Sequence, residues 1–266
     1  MTNPQDVYPD LVAEGDDLDA VVAGLTPEAW RTPTPAEGWT VLDQIAHLTF
    51  ISDLAHLAAA APAQFGERMR QAAEHGFQAA VNQALAEYSA AEPPAVLERW
   101  RVSRAAAAEA LAAIEPGATV PWLVNPLPPT VLAAAGIMEL FGHGQDVYDA
   151  LGVERGYTDR IGHLAWFATR VWDFGYQARG LTPPDVQFRY ELTAPSGARW
   201  DFGPADAAQR IEGPAADFCL LVTRRRHRDD LAVKASGEDA EAWLDLAQAY
   251  RGPAGPGRRP GQFARP

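Results

Sequence analysis

The chain has 266 residues, of which 47% are hydrophobic, so it is long enough and apolar enough to bury a substantial core. Its formal net charge of −13 disfavours nucleic acid and anionic membranes as partners. The single cysteine, Cys219, excludes an intrachain disulfide and any Cys-x-x-Cys metal site, and it is predicted to be a small buried side chain. The first residues lack the basic start and apolar run of a signal peptide, so we expect a cytoplasmic protein.

Helical patterns dominate the first 180 residues. Apolar residues recur at steps of three and four between Tyr8 and Leu25, which predicts a first helix. Thr40 and Asp43 have the spacing of a capping box and open a second helix that runs to about Ala60. The remaining predicted helices cover 65–114 with an interruption at Pro93-Pro94, 130–151, and an aromatic-rich stretch from about 158.

After Gly180 the periodicity changes from 3.6 residues to two. Alternation over 186–193, a Pro-Ser-Gly turn and renewed alternation over 199–202 predict a hairpin. The last predicted elements are a short helix, a strand and a helix over 214–221, 231–235 and 238–250, followed by a loose tail from Gly252. The predicted fold class is α+β, with an all-helical domain at 1–180 and a small α+β domain at 181–266.

Glu139 is the single carboxylate between Glu115 and Asp146. A lone ionised carboxylate on a buried helix is costly unless it is paired or bound to a cation. His143 follows one turn later on the same face, so the two side chains predict either a shared metal ion or an ion pair. The best third ligand is His47, within an apolar helix, although a single buried histidine often only bonds a backbone carbonyl.

Two segments resemble signatures of the DinB-like, mycothiol-dependent maleylpyruvate isomerase superfamily. Residues 38–48 (Gly-Trp-Thr-Val-Leu-Asp-Gln-Ile-Ala-His-Leu) are similar to its second-helix signature, and residues 139–147 (Glu-Leu-Phe-Gly-His-Gly-Gln-Asp-Val) to its fourth. The resemblance covers about residues 5–150 and implies an antiparallel four-helix bundle with an extra helix. The rest is similar in layout to the sterol-carrier-like domain of such isomerases. The ligands implied are His47, Glu139 and His143.

Two imidazoles and one carboxylate suit Zn²⁺ best, with Ni²⁺, Mn²⁺ or Fe²⁺ as alternatives. Three protein ligands leave one coordination position open, as catalytic sites do. Asp146 and Gln145 are candidates to orient an imidazole. A solvated helix-end carboxylate is the alternative for Asp146, and capping already explains Asp43.

Further candidates lie near these ligands in sequence or in the second domain. Four apolar side chains are predicted to line a substrate pocket, with ordinary core packing as the alternative: Trp39, Trp122, Met138 and Phe141. The run from Arg224 to Arg228 is the only basic cluster. The resemblance implies that an arginine of the second domain binds a substrate carboxylate, which indicates Arg225 or Arg224. A solvated run paired with Asp229 and Asp230 is the alternative.

Together these features predict a metal-dependent enzyme that acts on a small carbonyl or enone substrate. Its reaction would be an isomerisation, cyclisation, elimination or thiol transfer, and the resemblance implies a low-molecular-weight thiol such as mycothiol. The alternative function is a non-catalytic small-molecule-binding protein with a structural metal. Nucleic-acid modification, a third class, is disfavoured by the acidic charge.

Overall fold

A computed structural model describes residues 6–263, apart from the side chains of residues 75, 77, 78 and 80. Contacts divide the chain into two compact units that meet between Arg155 and Gly156. The sequence places this boundary at 180/181 instead. The two positions differ because the first helix after Gly156 packs on C-terminal elements. Within the described residues no helix is both long and apolar enough to cross a bilayer.

The N-terminal unit is helical. Its elements are α1 (Val7–Val22), α2 (Pro27–Trp30), α3 (Val41–Ala60), α4 (Pro62–His75), α5 (Phe77–Ser89), α6 (Pro93–Ala112) and α7 (Pro129–Leu151). α3 lies against both α6 and α7, and α1 packs on the same two helices, so these four enclose the core. Pro93 and Pro129 occupy first-turn positions, where the fixed φ of proline favours helix initiation. Gly152 ends α7 in the left-handed conformation.

The predicted capping box at the start of α3 is confirmed. The Thr40 hydroxyl accepts a hydrogen bond from the Asp43 backbone N–H, and the Asp43 carboxylate accepts one from the Thr40 backbone N–H at 2.8 Å. We expect Thr40→Ala to lower the free energy of unfolding by about 1 kcal/mol, because an orphan N–H loses its acceptor. Urea denaturation measures this, with Thr40→Ser as the control that keeps the hydroxyl. Equal losses in both variants would exclude the cap as the cause.

The C-terminal unit combines helices with one small sheet. Its elements are α8 (Ile161–Arg170), α9 (Phe174–Gln177), β1 (Phe188–Thr193), β2 (Arg199–Phe202), β3 (Gln209–Pro214), α10 (Ala215–Val222), β4 (Lys234–Ser236) and α11 (Glu238–Leu246). The strand order is β2-β1-β3-β4, with β1 and β3 parallel and the other pairs antiparallel. α8 contacts α10 and β2, which explains why it belongs to this unit. Cys219 is fully buried, as predicted.

The sequence predicts the hairpin β1–β2, the helix α10 and the helical start of α11, but not the strand β3. This strand contains one buried apolar residue, Ile211, among polar neighbours, so the period-two signal is absent. Parallel pairing with β1 holds it in the sheet instead. The predicted α+β class, with a helical N-terminal part before a small α+β part, is confirmed.

Candidate metal centre

Three predicted ligands come together inside the N-terminal unit. His47 lies on α3, and Glu139 and His143 lie one turn apart on α7. Oε2 of Glu139 is 3.5 Å from Nε2 of His47 and 3.3 Å from Nε2 of His143. The three ligand atoms all lie within 4.8 Å of one another, and all three residues are partly buried. The packing of α3 against α7 therefore assembles a possible metal-binding set.

The orientation of His143 is fixed by Gln44, one turn before His47 on α3. Nδ1 of His143 lies 2.6 Å from Oε1 of Gln44, and an amide oxygen can only accept. In the neutral imidazole Nδ1 therefore carries the proton, which leaves the lone pair on Nε2, the atom that faces Glu139. Gln44 in turn donates to the Thr34 hydroxyl at 2.9 Å, and Thr34 donates to the Trp39 carbonyl at 2.9 Å. This relay joins the loop before α3 to both ligand-bearing helices.

Trp39 forms one wall of the ligand set. Its ring stacks on the His143 imidazole with centroids 5.7 Å apart and planes inclined by 20°. The same ring lies 5.4 Å from the His47 imidazole. The two imidazoles are themselves 4.3 Å apart. An indole against both histidines shields them from solvent and holds their planes.

His47 does not take the alternative role of a core histidine bonded to a backbone carbonyl. Within residues 6–263, its buried Nδ1 has no hydrogen-bond partner, and its Nε2 faces Glu139. The environment of Glu139 favours its charged form. Burial raises the pKa of this carboxyl, but the contacts with His143 and His47, which are strongest when the imidazoles are protonated, outweigh burial and hold the pKa well below its usual range.

The spacing of the donor atoms is compatible with a metal ion bound between them. Tetrahedral coordination with bonds of about 2.1 Å places neighbouring ligand atoms roughly 3.4 Å apart. The two Nε2–Oε2 distances, 3.3 and 3.5 Å, lie on either side of this value. A charge-assisted N–H···O hydrogen bond is shorter, at about 2.7–2.9 Å. The residues present therefore fit a divalent metal ion.

The structure also places the other residues that the sequence suggests as supports for the ligands. Asp146 is completely buried in α7, so it is not a solvated helix-end carboxylate. Gln145 donates to Asp149 at 2.9 Å, along α7. Asp43 caps α3 and accepts from the Ser89 hydroxyl at 2.7 Å. The sequence reasoning missed Gln44, although a glutamine three residues before His47 on an apolar helix is itself a signal of a polar role.

The four predicted pocket residues separate in the structure. Trp39 borders the ligands, whereas Trp122 stacks on Phe65 with centroids 5.9 Å apart. Met138 and Phe141 are buried, and the Arg155 guanidinium covers the Phe141 ring at 4.5 Å.

A cavity of about 190 Å³ among α1, α3, α6 and α7 reaches Glu139 without contacting any of these four residues. Its wall is mostly aliphatic and includes Leu48, Ile51, Leu111, Leu132 and Leu140. We call it the bundle cavity. An apolar space beside a candidate ligand is suited to the apolar part of a small molecule.

Arg225 belongs to the C-terminal unit, just after α10. Its Nη1 donates to the Thr223 carbonyl at 2.6 Å. Its role in binding a substrate carboxylate stays a prediction.

Replacing Gln44 tests its role in orienting His143. We expect Gln44→Leu to weaken zinc binding about 10–100-fold, because groups that orient a ligating histidine typically contribute that much. Competition with a chromophoric chelator measures the affinity. Gln145→Leu is the matched control, since Gln145 is also a buried glutamine but donates to Asp149. A larger loss in the Gln145 variant would transfer the orienting role to that residue.

Two known protein families match parts of this chain. The family described as "Mycothiol maleylpyruvate isomerase N-terminal domain" matches residues 11–148, which contain all three candidate ligands. The chain belongs to this family. A second family, described as "Wyosine base formation", matches residues 184–235 of the C-terminal unit.

Full-length relatives and solved structures extend the comparison. Two proteins of Mycobacterium tuberculosis, from strains CDC 1551 and H37Rv and both described as uncharacterized, are each 45% identical over 97% of this chain and all of their own length. The crystal structure of a mycothiol-dependent maleylpyruvate isomerase aligns with TM-score 0.57 and 15% identity, covering 88% of this chain and 93% of that one. A histidine-to-alanine mutant of that isomerase aligns with TM-score 0.56. At this identity the structural likeness shows the fold alone. The family match over residues 11–148 confirms the predicted superfamily.

Proposed function

We propose that the protein is a metal-dependent enzyme that acts on a small organic substrate in an isomerase-type reaction with a mycothiol-like thiol. The spacing of the three donor atoms, 3.3 and 3.5 Å around Oε2 of Glu139, carries the metal part of the proposal. Membership of the maleylpyruvate isomerase family supports the isomerase and thiol parts. Zn²⁺ is the metal that this donor set suits best.

The side chains around the site prepare the ligands for this chemistry. A bound divalent ion supplies Lewis acidity, which polarises a carbonyl or lowers the pKa of a thiol. Glu139 remains a carboxylate at neutral pH because its pKa is low. Gln44 keeps the lone pair of His143 on Nε2, and Trp39 limits the access of water to both imidazoles.

The proposed substrate has an apolar part and a carbonyl group. The bundle cavity, with its aliphatic wall beside Glu139, supports the apolar part. Asp146 is proposed to move the proton in the reaction, as a buried carboxylate one turn beyond His143. Arg225 is proposed to bind a substrate carboxylate, which a guanidinium fork suits.

The proposal is tested by assaying zinc-loaded protein on maleylpyruvate and related enones, with and without mycothiol. We expect turnover that requires both the metal and the thiol and that His143→Ala abolishes. Gln145→Leu serves as the control for a substitution on the same helix. Turnover without any thiol would remove the thiol from the proposal, and turnover that survives complete chelation would remove the metal.

A non-catalytic binding protein with a structural metal is the second candidate, and the bundle cavity favours it. The two candidates differ in how chelation acts on stability. A structural metal contributes directly to folding, so its removal lowers the melting temperature strongly. If the protein is an enzyme, removal of the metal should lower the melting temperature only modestly, and one coordination position of the metal should exchange its ligand. Calorimetry of the metal-loaded and chelated protein separates them.

The match to the wyosine base formation family raises nucleic-acid modification as a function of the C-terminal unit. The net charge of −13 opposes binding to a phosphate backbone, and we propose no nucleic-acid partner. Tight, salt-sensitive binding of tRNA in a mobility-shift assay would contradict this.

A further inference from the structure

A basic pocket lies within the C-terminal unit. It has a volume of about 150 Å³, and two chain segments line it: the turn after α10 and residues 256–258. Four arginines line it, Arg224, Arg226, Arg228 and Arg258, together with the imidazole of His227. Among residues 6–263, Asp245 is the carboxylate that lines it, and Arg228 pairs both with Asp245 at 3.3 Å and with Glu241. In a chain with a net charge of −13, so many basic groups around one small cavity require an explanation.

Arg224 occupies a backbone conformation that favours glycine. Arg224 has φ of 58°, and it is the only non-glycine residue with positive φ among residues 6–263. Its N–H bonds the Leu221 carbonyl at 2.9 Å, and the next N–H bonds the Leu220 carbonyl at 2.8 Å. This is the Schellman pattern at the end of α10, in which glycine usually occupies the left-handed position. A side chain is strained in this conformation, and such strain points to a role for the guanidinium.

The Arg224 guanidinium also lacks a counter-charge. It forms no ion pair or side-chain hydrogen bond with the described part of the chain, and its buried Nε has no partner. Another cation, Arg179, is close enough to be affected by its charge. Burial, and then the positive charge of Arg224, lower the pKa of Arg179. A buried donor such as this Nε is costly to leave unsatisfied, and an anion bound by the guanidinium would satisfy it.

Gly257 leaves room beside this guanidinium. A Cβ at this position would lie 2.7 Å from Nη2 of Arg224, closer than non-bonded atoms approach. The segment 256–258 therefore borders the pocket and approaches the Arg224 guanidinium closely through Gly257.

We propose that this pocket binds the phosphate group of a small molecule, with Arg224 as its principal ligand. Guanidinium forks bind phosphate and carboxylate oxygens with charge-assisted hydrogen bonds. Phosphate is favoured over carboxylate because basic side chains surround the cavity from two segments, and a tetrahedral oxyanion offers acceptors in several directions. The cavity has the volume for a phosphate with a small attached group. This site is independent of the metal centre and of the reaction proposed there.

The test uses the full-length protein and inorganic phosphate, compared with potassium chloride at the same ionic strength. Thermal unfolding and isothermal titration calorimetry give the stabilisation and the affinity. We expect wild type to bind phosphate, and Arg224→Gly to bind it at least tenfold more weakly. Because glycine relieves the left-handed backbone, this variant should melt at least as high as wild type without phosphate. That combination separates loss of the ligand site from loss of the fold.

Two further variants and one further anion complete the test. Arg258→Gln should also weaken phosphate binding, whereas Arg199→Gln should change it less than twofold. Arg199 is the charge-matched control, since it is exposed on β2 and pairs with Glu191 and Asp201. The proposal would be overturned if wild type does not bind phosphate, or if Arg224→Gly binds phosphate as tightly as wild type does. Malonate that binds more tightly than phosphate would also overturn it, by making the pocket a carboxylate site.

Discussion

Protein carrying Glu139→Gln is expected to purify with only a trace of metal, whereas wild type should hold about one divalent ion per chain. Glutamine keeps the shape of the side chain but removes the negative charge that Oε2 places 3.3 and 3.5 Å from the two imidazole nitrogens. Two neutral imidazoles alone form a weak site. Elemental mass spectrometry on wild type and variant, purified side by side, measures this difference.

The control for this experiment is Glu98→Gln. Glu98 is an exposed carboxylate on α6 that pairs with Arg101, so its loss should leave the metal content unchanged. Full metal content in Glu139→Gln would remove this residue from the site. If wild type is metal-free and does not bind added Zn²⁺, then His47, Glu139 and His143 form a buried polar cluster without a metal. The function of a non-catalytic binding protein would then be favoured.

Arg155→Met should destabilise the protein by about 3–5 kcal/mol, a large part of the stability of an ordinary domain. The Arg155 and Glu14 side chains are only 6% and 7% exposed, and their charged atoms lie 2.5 Å apart. Arg155 also donates to the Phe141 carbonyl at 2.7 Å. Its removal takes away a cation that lies against the buried Glu14 carboxylate. Urea denaturation, followed by circular dichroism, gives the loss of unfolding free energy.

Two variants show whether burial of the charge causes this loss. Arg70→Met removes an exposed arginine that pairs with Glu67, and we expect it to cost less than about 1 kcal/mol. The double variant Glu14→Leu/Arg155→Met should recover part of the stability, since it removes both charges together. An Arg155→Met protein that unfolds like wild type would show that the pair is dispensable.

Much of this architecture is available from the sequence because the signals are local. Four-residue spacing places Glu139 and His143 on one face of a helix, and the capping box at Thr40 marks where α3 begins. Apolar periodicity predicts α1, α3 and α7 nearly to their ends. Such features depend on residues within one or two turns, so a single chain reveals them.

The features that the sequence does not predict depend on distant contacts. Gln44 acquires its role only because α7 brings His143 within 2.6 Å of it. The strand β3 is held by pairing with β1 rather than by its own apolar pattern. The assignment of α8 to the C-terminal unit follows from packing on α10 and β2, which no local periodicity encodes. Tertiary structure decides all three.

The division of the ligands between α3 and α7 also determines when in folding the site can form. Glu139 and His143 are brought together by one helix, but His47 is separated from them by α4, α5 and α6. Bringing such distant segments together requires most of the N-terminal unit to be in place. During synthesis His47 leaves the ribosome long before α7 does, and domains fold largely as units. Metal should therefore be captured late, by a bundle that is already formed, and a chain truncated before α7 should fail to retain it.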